Sequence, residues 1–269
     1  IVRDDVFCNV SNLVEFSLKM SMQNESGDEP VAYDEIFQTI LTNLRTGNLT
    51  DEDIKILQSL SENNKVDAKD TIKLFSTNNA VNQYNDFYIK ANSNSEYRFE
   101  AQFTGNNTYY VNDMKTQFKA KNIDFLILKK GLKVMLTRNI DVNCGLVNGS
   151  IGTVEDLFTE GVRVKFDNGF TQMINRVEWE IELDGSKVVV QQIPLMLSYS
   201  ITIHKSQSLS LDNAVLDLAD CFCNHMVYVA LSRVRSLSGL YLRTFDPKKI
   251  TVNSKLLEFI DKVEGHEKH

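Results

Sequence analysis

With 269 residues, the chain is long enough for one large domain or two modest ones with proper cores. Its composition, 42% hydrophobic and 24% charged, is globular and excludes wholesale disorder. A formal net charge of −7 excludes a protein that coats nucleic acid with a broad basic face, so any such contact must be a narrow groove.

No apolar run approaches the roughly 18 residues that span a bilayer, so no membrane partner is expected. The chain has neither a starting Met nor a signal peptide, which suggests a piece of a longer protein. Residues 1–33 read as irregular and polar, with a loop over Ser21 to Pro30. From Asp34 the pattern is helical: Ile36, Ile40, Leu41 and Leu44 share a face, Arg45 sits in the last turn and Gly47 follows as a stop. Thr50 opens a second helix in capping-box style, with Asp51, Glu52 and Asp53 at its start. The two helices read as a hairpin.

Ile72 to Ser76 alternates as a short strand, followed by the polar turn Thr77-Asn78-Asn79 and a helix burying Val81, Tyr84 and Tyr88. Strand, polar turn, helix is the α/β rhythm in which ligands meet strand ends. Between about 120 and 190 the rhythm changes: Asp-Asn-Gly at 167–169 and Asp-Gly at 184–185 are hairpin turns, and Gly145, Gly149 and Gly152 punctuate the first part. About five short strands with tight turns suggest a small β-barrel. The α/β pattern then resumes with a buried strand over Ile193 to Ile203, a strand over Asn213 to Leu218, a helix over Met226 to Val234 and a strand over Leu240 to Phe245. The expected organisation is an α/β domain over 1–119 and 191–269, with a β-barrel inserted at 120–190.

Of the four cysteines, Cys221 and Cys223 alternate with His225 as C-x-C-x-H. That is neither the usual zinc spacing nor accompanied by a second ligand pair, so buried free thiols are expected and no metal site is assigned. The lack of a paired framework favours a reducing, intracellular setting.

Two segments carry chemistry. Thr202-Ile203-His204-Lys205-Ser206-Gln207 closes the apolar strand, so its polar groups emerge at a carboxyl edge, where lysine charge, hydroxyls and histidine suit phosphates. Taken alone, it reads more readily as an ordinary polar turn. Tyr228-Val229-Ala230-Leu231-Ser232-Arg233 ends in a planar, permanently charged fork that can stabilise charge on a transferring phosphoryl group. Taken alone, Arg233 reads as a surface arginine on a helix. One strand and one turn separate the segments, so a βαβ unit can bring both to one edge.

At this point the sequence resembles the Pif/RecD-like branch of superfamily-one helicases. QIPLMLSYSITIHKSQS at 192–208 and YVALSRVRSLSGL at 228–240 are similar to that family's motifs five and six. RTGNLTDEDIKIL at 45–57, LFSTNNAVNQYN at 74–85, and KKGLKVML with NCGLVNGSIGTV within 129–154 are similar to further family segments, in the family's order. The resemblance implies a RecA-like motor domain of the P-loop-NTPase type, without its own P-loop, carrying an inserted SH3-like β-barrel. It implies that Arg233 reaches the ATP γ-phosphate, that Arg3 matches the family's motif-four arginine as a second catalytic residue, and that Gln207 and Ser208 lie near the nucleotide. Thr202, His204, Lys205, Ser206, Thr77 and Asn78 would contact single-stranded DNA. Ser208 stands where the family has glycine.

Nothing here resembles G-x-x-x-x-G-K-[ST], so ATP and Mg²⁺ would be held mainly by an upstream P-loop domain of the same protein. This fragment alone is expected to be inactive. The resemblance further implies 5′→3′ travel, roles in DNA replication, repair and recombination, and replication proteins as partners. The setting would be nucleus or mitochondrion in a eukaryotic cell, or a cytoplasmic replication site if viral. The alternative is a non-catalytic, helicase-derived module that docks nucleic acid or protein.

Overall fold

The computed structural model describes residues 35–62, 71–207, 209–221 and 226–250. The chain divides into two compact units, Ile1–Val81 with Ser200–His269 and Asn82–Tyr199. The 120–190 segment expected as an insertion lies within the second. The expected loop at 21–30 falls outside the described residues.

In the first unit, α1 (Glu35–Thr46) buries Phe37, Ile40 and Leu44 at spacings of one helical turn. It ends as its composition requires. Gly47 takes φ of +76° and donates to the Leu44 carbonyl, while Asn48 N–H reaches back to Asn43 O at 2.8 Å. Helix α2 (Asp51–Glu62) opens with a reciprocal cap: Thr50 N–H donates to Asp53 Oδ2 at 2.9 Å, and Asp53 N–H to Thr50 Oγ1 at 3.1 Å. Asn43 Nδ2 also donates to Asp53 Oδ2, tying the end of α1 to the start of α2. Burial alone would raise the Asp53 pKa, but the hydrogen bonds from Thr50 and Asn43 outweigh it and leave it lowered. Beyond this link the helices find different partners, α1 against α5 (Met226–Leu231) and α2 against β14 (Leu240–Thr244).

These helices accompany a four-stranded parallel sheet in the order β12-β1-β13-β14, with β1 (Ile72–Phe75), β12 (Ser200–Thr202) and β13 (Ala214–Asp217). Its inner strands are covered on both faces: every residue of β1 and of β12 is buried, the polar Lys73, Ser200 and Thr202 included. The register sets Phe75 level with Thr202 on one side and Asp217 on the other, so three strands end together.

The second unit is antiparallel throughout. It takes up the later part of α3 (Asn78–Ala91). A two-stranded sheet joins β2 (Glu96–Glu100) to β4 (Phe125–Lys129). A three-stranded sheet has the order β3-β10-β9, with β3 (Gln102–Gly105), β9 (Val177–Leu183) and β10 (Ser186–Gln192). Helix α4 (Thr108–Ala120), capped by Asn107, lays Val111 and Met114 against Val188 and Val190 of β10. A five-stranded sheet runs β11-β5-β6-β7-β8, with β5 (Lys133–Leu136), β6 (Ile151–Leu157), β7 (Gly161–Phe166), β8 (Thr171–Asn175) and β11 (Leu195–Leu197). Its core includes Val134, Leu136, Val154, Val162, Val164 and Ile174. The two expected hairpin turns are present: Gly169 takes φ of +91°, and Asp184 and Gly185 take +47° and +74°, the pair of positive values that a two-residue hairpin needs.

Two expectations are corrected. The apolar run at 193–203 is two strands: β11 pairs antiparallel with β5, and β12 pairs parallel with β1. Between them, Tyr199 stacks on Tyr88 with centroids 3.8 Å apart, and its hydroxyl accepts from Lys133 N–H at 3.0 Å, so the chain turns there. The helix expected over 226–234 ends at Leu231; Ser232 and Arg233 form a turn, and Val234 bridges to Leu211.

Candidate functional site

The site residues within the first unit gather where the parallel strands end. At the end of β1, Thr77 caps α3: its hydroxyl accepts from Ala80 N–H at 3.4 Å and its carbonyl from Val81 N–H at 3.3 Å. Asn78, the first residue of that helix, is exposed.

At the end of the neighbouring β12 the chain enters a tight turn. Ser206 N–H donates to Thr202 O at 3.1 Å, Gln207 N–H to His204 O at 3.3 Å, and Leu209 N–H to Ser206 O at 2.9 Å. The hydroxyls of Thr202 and Ser206 point inward and hold this turn. Thr202 Oγ1 accepts from Lys205 N–H at 3.2 Å, and Ser206 Oγ donates to Ile203 O at 2.7 Å, with Ser206 fully buried. Lys205 is exposed and His204 and Gln207 are half-buried. Although its side chain reaches solvent, protein packed around Lys205 lowers its pKa from the usual 10.5 by desolvation.

Arg233 is 3% exposed, not a surface arginine. Its guanidinium is held by Nε donating to Val229 O at 3.1 Å, Nη2 donating to Ser232 Oγ at 2.9 Å, and Nη1 donating to the Gln207 carbonyl. Burial lowers its pKa to about 10, with a smaller opposing contribution from Tyr228, so it stays charged at neutral pH. Tyr228, half-buried, has its phenol pKa raised by desolvation, against the opposing fields of Arg45 and Arg233. Around Arg233 the backbone is stitched to the strand lead-in: Leu211 N–H donates to Arg233 O at 2.8 Å and Arg235 N–H to Leu211 O at 3.0 Å.

The structure therefore joins the two motif segments through one side-chain to main-chain bond, Arg233 to Gln207. It places Thr77 and Asn78 at the end of the strand beside them. Arg3, Ser208, Cys223 and His225 lie outside the described residues. Among the described residues no group of three or more His, Cys, Asp or Glu is arranged to hold a metal ion, and Cys144 and Cys221 form no disulfide and are half-buried, not buried as expected. No helix among them is long and apolar enough to cross a membrane. Sequence reasoning missed Ser232, whose hydroxyl accepts from Arg233 and donates to Val229 O at 3.0 Å. Its position directly before the arginine was the available signal.

Comparison with known proteins gives one consistent answer. The family described as DNA helicase Pif1, 2B domain, matches residues 110–157. The ATP-dependent DNA helicase PIF1 of Mus musculus is 34% identical over 84% of this chain and 35% of its own length. The crystal structure of Pif1 helicase from Candida albicans is similar with a TM-score of 0.69 and 27% identity, over 86% of this chain and 58% of that one. Bacteroides Pif1 bound to ssDNA is similar with a TM-score of 0.62 and 25% identity, over 87% of this chain and 55% of that one. The chain thus spans about a third of the mouse relative and just over half of the solved chains. By its motifs, its fold and these likenesses, the chain belongs to the Pif1-like superfamily-one helicases.

Proposed function

We propose that this chain is part of an ATP-dependent helicase that moves 5′→3′ along single-stranded DNA. It would supply an arginine to the ATP γ-phosphate and one edge of the single-strand groove. The first unit is read as the RecA-like half of the motor, and the five-stranded sheet of the second as the SH3-like barrel. The observation that carries this reading is the bond from Arg233 to the Gln207 carbonyl, which links the phosphate-type motif to the turn bearing Lys205. The mouse relative's name and the DNA-bound Bacteroides structure agree with ATP and single-stranded DNA as ligands.

The residues fit those ligands. A guanidinium that remains charged while buried is suited to charge developing on a transferring phosphoryl group, because the low local dielectric strengthens the interaction. Lys205 and His204 face outward enough to meet backbone phosphates, with Thr77 and Asn78 on the adjoining strand end. Thr202 and Ser206 act through the shape of the turn and its backbone. Gln207 and Ser208 adjoin the nucleotide, with Arg3 as a second arginine. Mg²⁺ would be held by the nucleotide phosphates and a P-loop domain elsewhere in the protein.

The test is DNA-stimulated ATPase activity of the full-length protein, of this chain alone and of full-length Arg233→Ala. Turnover by the full-length protein, none by this chain, and a loss of about 10³-fold or more in the variant are expected. Undiminished turnover in the variant would remove Arg233 from catalysis. A full-length protein that folds but lacks activity would favour a docking module.

A further inference from the structure

Among the described residues, the Arg233 guanidinium donates to the carbonyls of Val229 and Gln207 and to the hydroxyl of Ser232. The first and third belong to the arginine's own helix end. The second belongs to the turn that carries Lys205, 26 residues away in sequence. The Ser232 hydroxyl is used twice, donating to Val229 O and accepting from Nη2, so its orientation is fixed and it in turn fixes the plane of the guanidinium.

We propose that Ser232 and the Gln207 carbonyl are positioning groups for Arg233, and that nucleotide competes with the Gln207 carbonyl for the arginine, thereby resetting the turn that carries Lys205. The inference rests on the reading that Arg233 meets phosphate. A phosphate oxygen is a stronger acceptor for a guanidinium than a neutral carbonyl, so engaging it draws Nη1 from Gln207. The Gln207 amide is bonded to His204 O and the next described amide, Leu209, to Ser206 O, so releasing that carbonyl loosens the whole turn. Linkage makes the coupling reciprocal. DNA that fixes the turn in its reset form changes nucleotide affinity by the factor with which nucleotide changes DNA affinity.

The experiment uses full-length protein, with Ser232→Ala, Ser232→Thr and Arg233→Ala beside the wild type. Two quantities are read: ATP turnover at saturating single-stranded DNA, and hydrogen exchange at the Ser206, Gln207 and Leu209 amides without nucleotide. Ser232→Ala is expected to lower kcat about tenfold, as loss of one hydrogen bond to a charged group would, and to speed exchange at those amides. Ser232→Thr, which keeps the hydroxyl, restores both. In the wild type, ADP with aluminium fluoride and Mg²⁺ speeds exchange at the same amides. Unchanged exchange in Ser232→Ala, or slower exchange in the wild type with that analogue, overturns the inference. Arg233→Ala separates it from the functional reading. Lost turnover with unchanged exchange means the arginine meets nucleotide without holding the turn, which defeats the inference alone. Faster exchange with full turnover defeats the phosphate reading, and with it the competition.

Discussion

The two units handle their polar groups in opposite ways. In the parallel-sheet unit, chemistry-bearing side chains are folded inward: Thr202, Ser206 and Arg233 are buried, and their donors and acceptors are engaged within the turn and helix end. In the antiparallel unit the polar groups line outer faces. Along β9, Glu178, Glu180 and Glu182 alternate with Trp179, Ile181 and Leu183, and the ion pair from Glu180 to Lys187 is half exposed on both sides. Exposed pairs of that kind contribute about 0–1 kcal/mol, so hairpin turns and the apolar core decide the second unit's stability. In the first unit the groups proposed to carry the chemistry also hold the fold, so substitutions there should act on both.

Three glycine substitutions allow the contrast to be broken or sharpened. A Cβ at Gly239 would lie 1.9 Å from the Asp212 carbonyl oxygen, beside the segment that Leu211 ties to Arg233 and Arg235. Gly239→Ala should destabilise the protein by about 3 kcal/mol in denaturant unfolding and abolish DNA-stimulated turnover by the full-length enzyme. A Cβ at Gly152 would meet Lys165 O and Val164 Cγ1, each at 2.7 Å, within the five-stranded sheet. Gly152→Ala should cost about 1–3 kcal/mol in the second unit while hydrogen exchange at Ser206, Gln207 and Leu209 stays at the wild-type rate. If those amides exchange faster in Gly152→Ala, the two regions open as one cooperative block and the contrast fails. Gly185→Ala, at a position with φ of +74° and open space around the added methyl, should cost only about 1 kcal/mol, a pure backbone effect.

Local chemistry was legible in the sequence, and partners distant along the chain were not. Gly47 as a helix stop, the Thr50–Asp53 cap and the turns at 167–169 and 184–185 each depend on a few adjacent residues, and each is present. Residues 92–120 gave no readable pattern because β2 and β3 find their partners in β4 and β10, the latter some 80 residues on. Helix α4 buries only Val111 and Met114, too few for a clear stripe. Apolarity marked 193–203 as buried but could not show that two different sheets share it. The same limit applies at the site. Residue types and order singled out Lys205, Gln207 and Arg233, yet nothing in the sequence indicates that the Ser206 hydroxyl closes its own turn or that the arginine's partner is a main-chain carbonyl.

Lys205 sharpens the contrast from the other side, as an exposed charge beside the buried Thr202, Ser206 and Arg233. Desolvation lowers its pKa from 10.5, so the folded protein holds the neutral form more readily than the unfolded chain does. Between the lowered value and 10.5 the unfolded chain binds more protons, and Lys205 makes stability rise with pH across that window. A DNA phosphate acts in the opposite sense and favours the ammonium. Single-strand binding then takes up a proton and weakens as pH climbs through the lowered value. Lys205→Ala should reduce the salt slope of single-strand binding by about 0.7 and remove this alkaline weakening. Lys205→Arg should keep the slope but flatten the pH profile, because a guanidinium stays charged throughout. Fluorescence anisotropy with an oligo-dT strand at several salt concentrations and alkaline pH values would separate the three proteins. Identical pH profiles for wild type and Lys205→Arg would mean that no phosphate meets Lys205, leaving His204, Thr77 and Asn78 to form that edge of the groove.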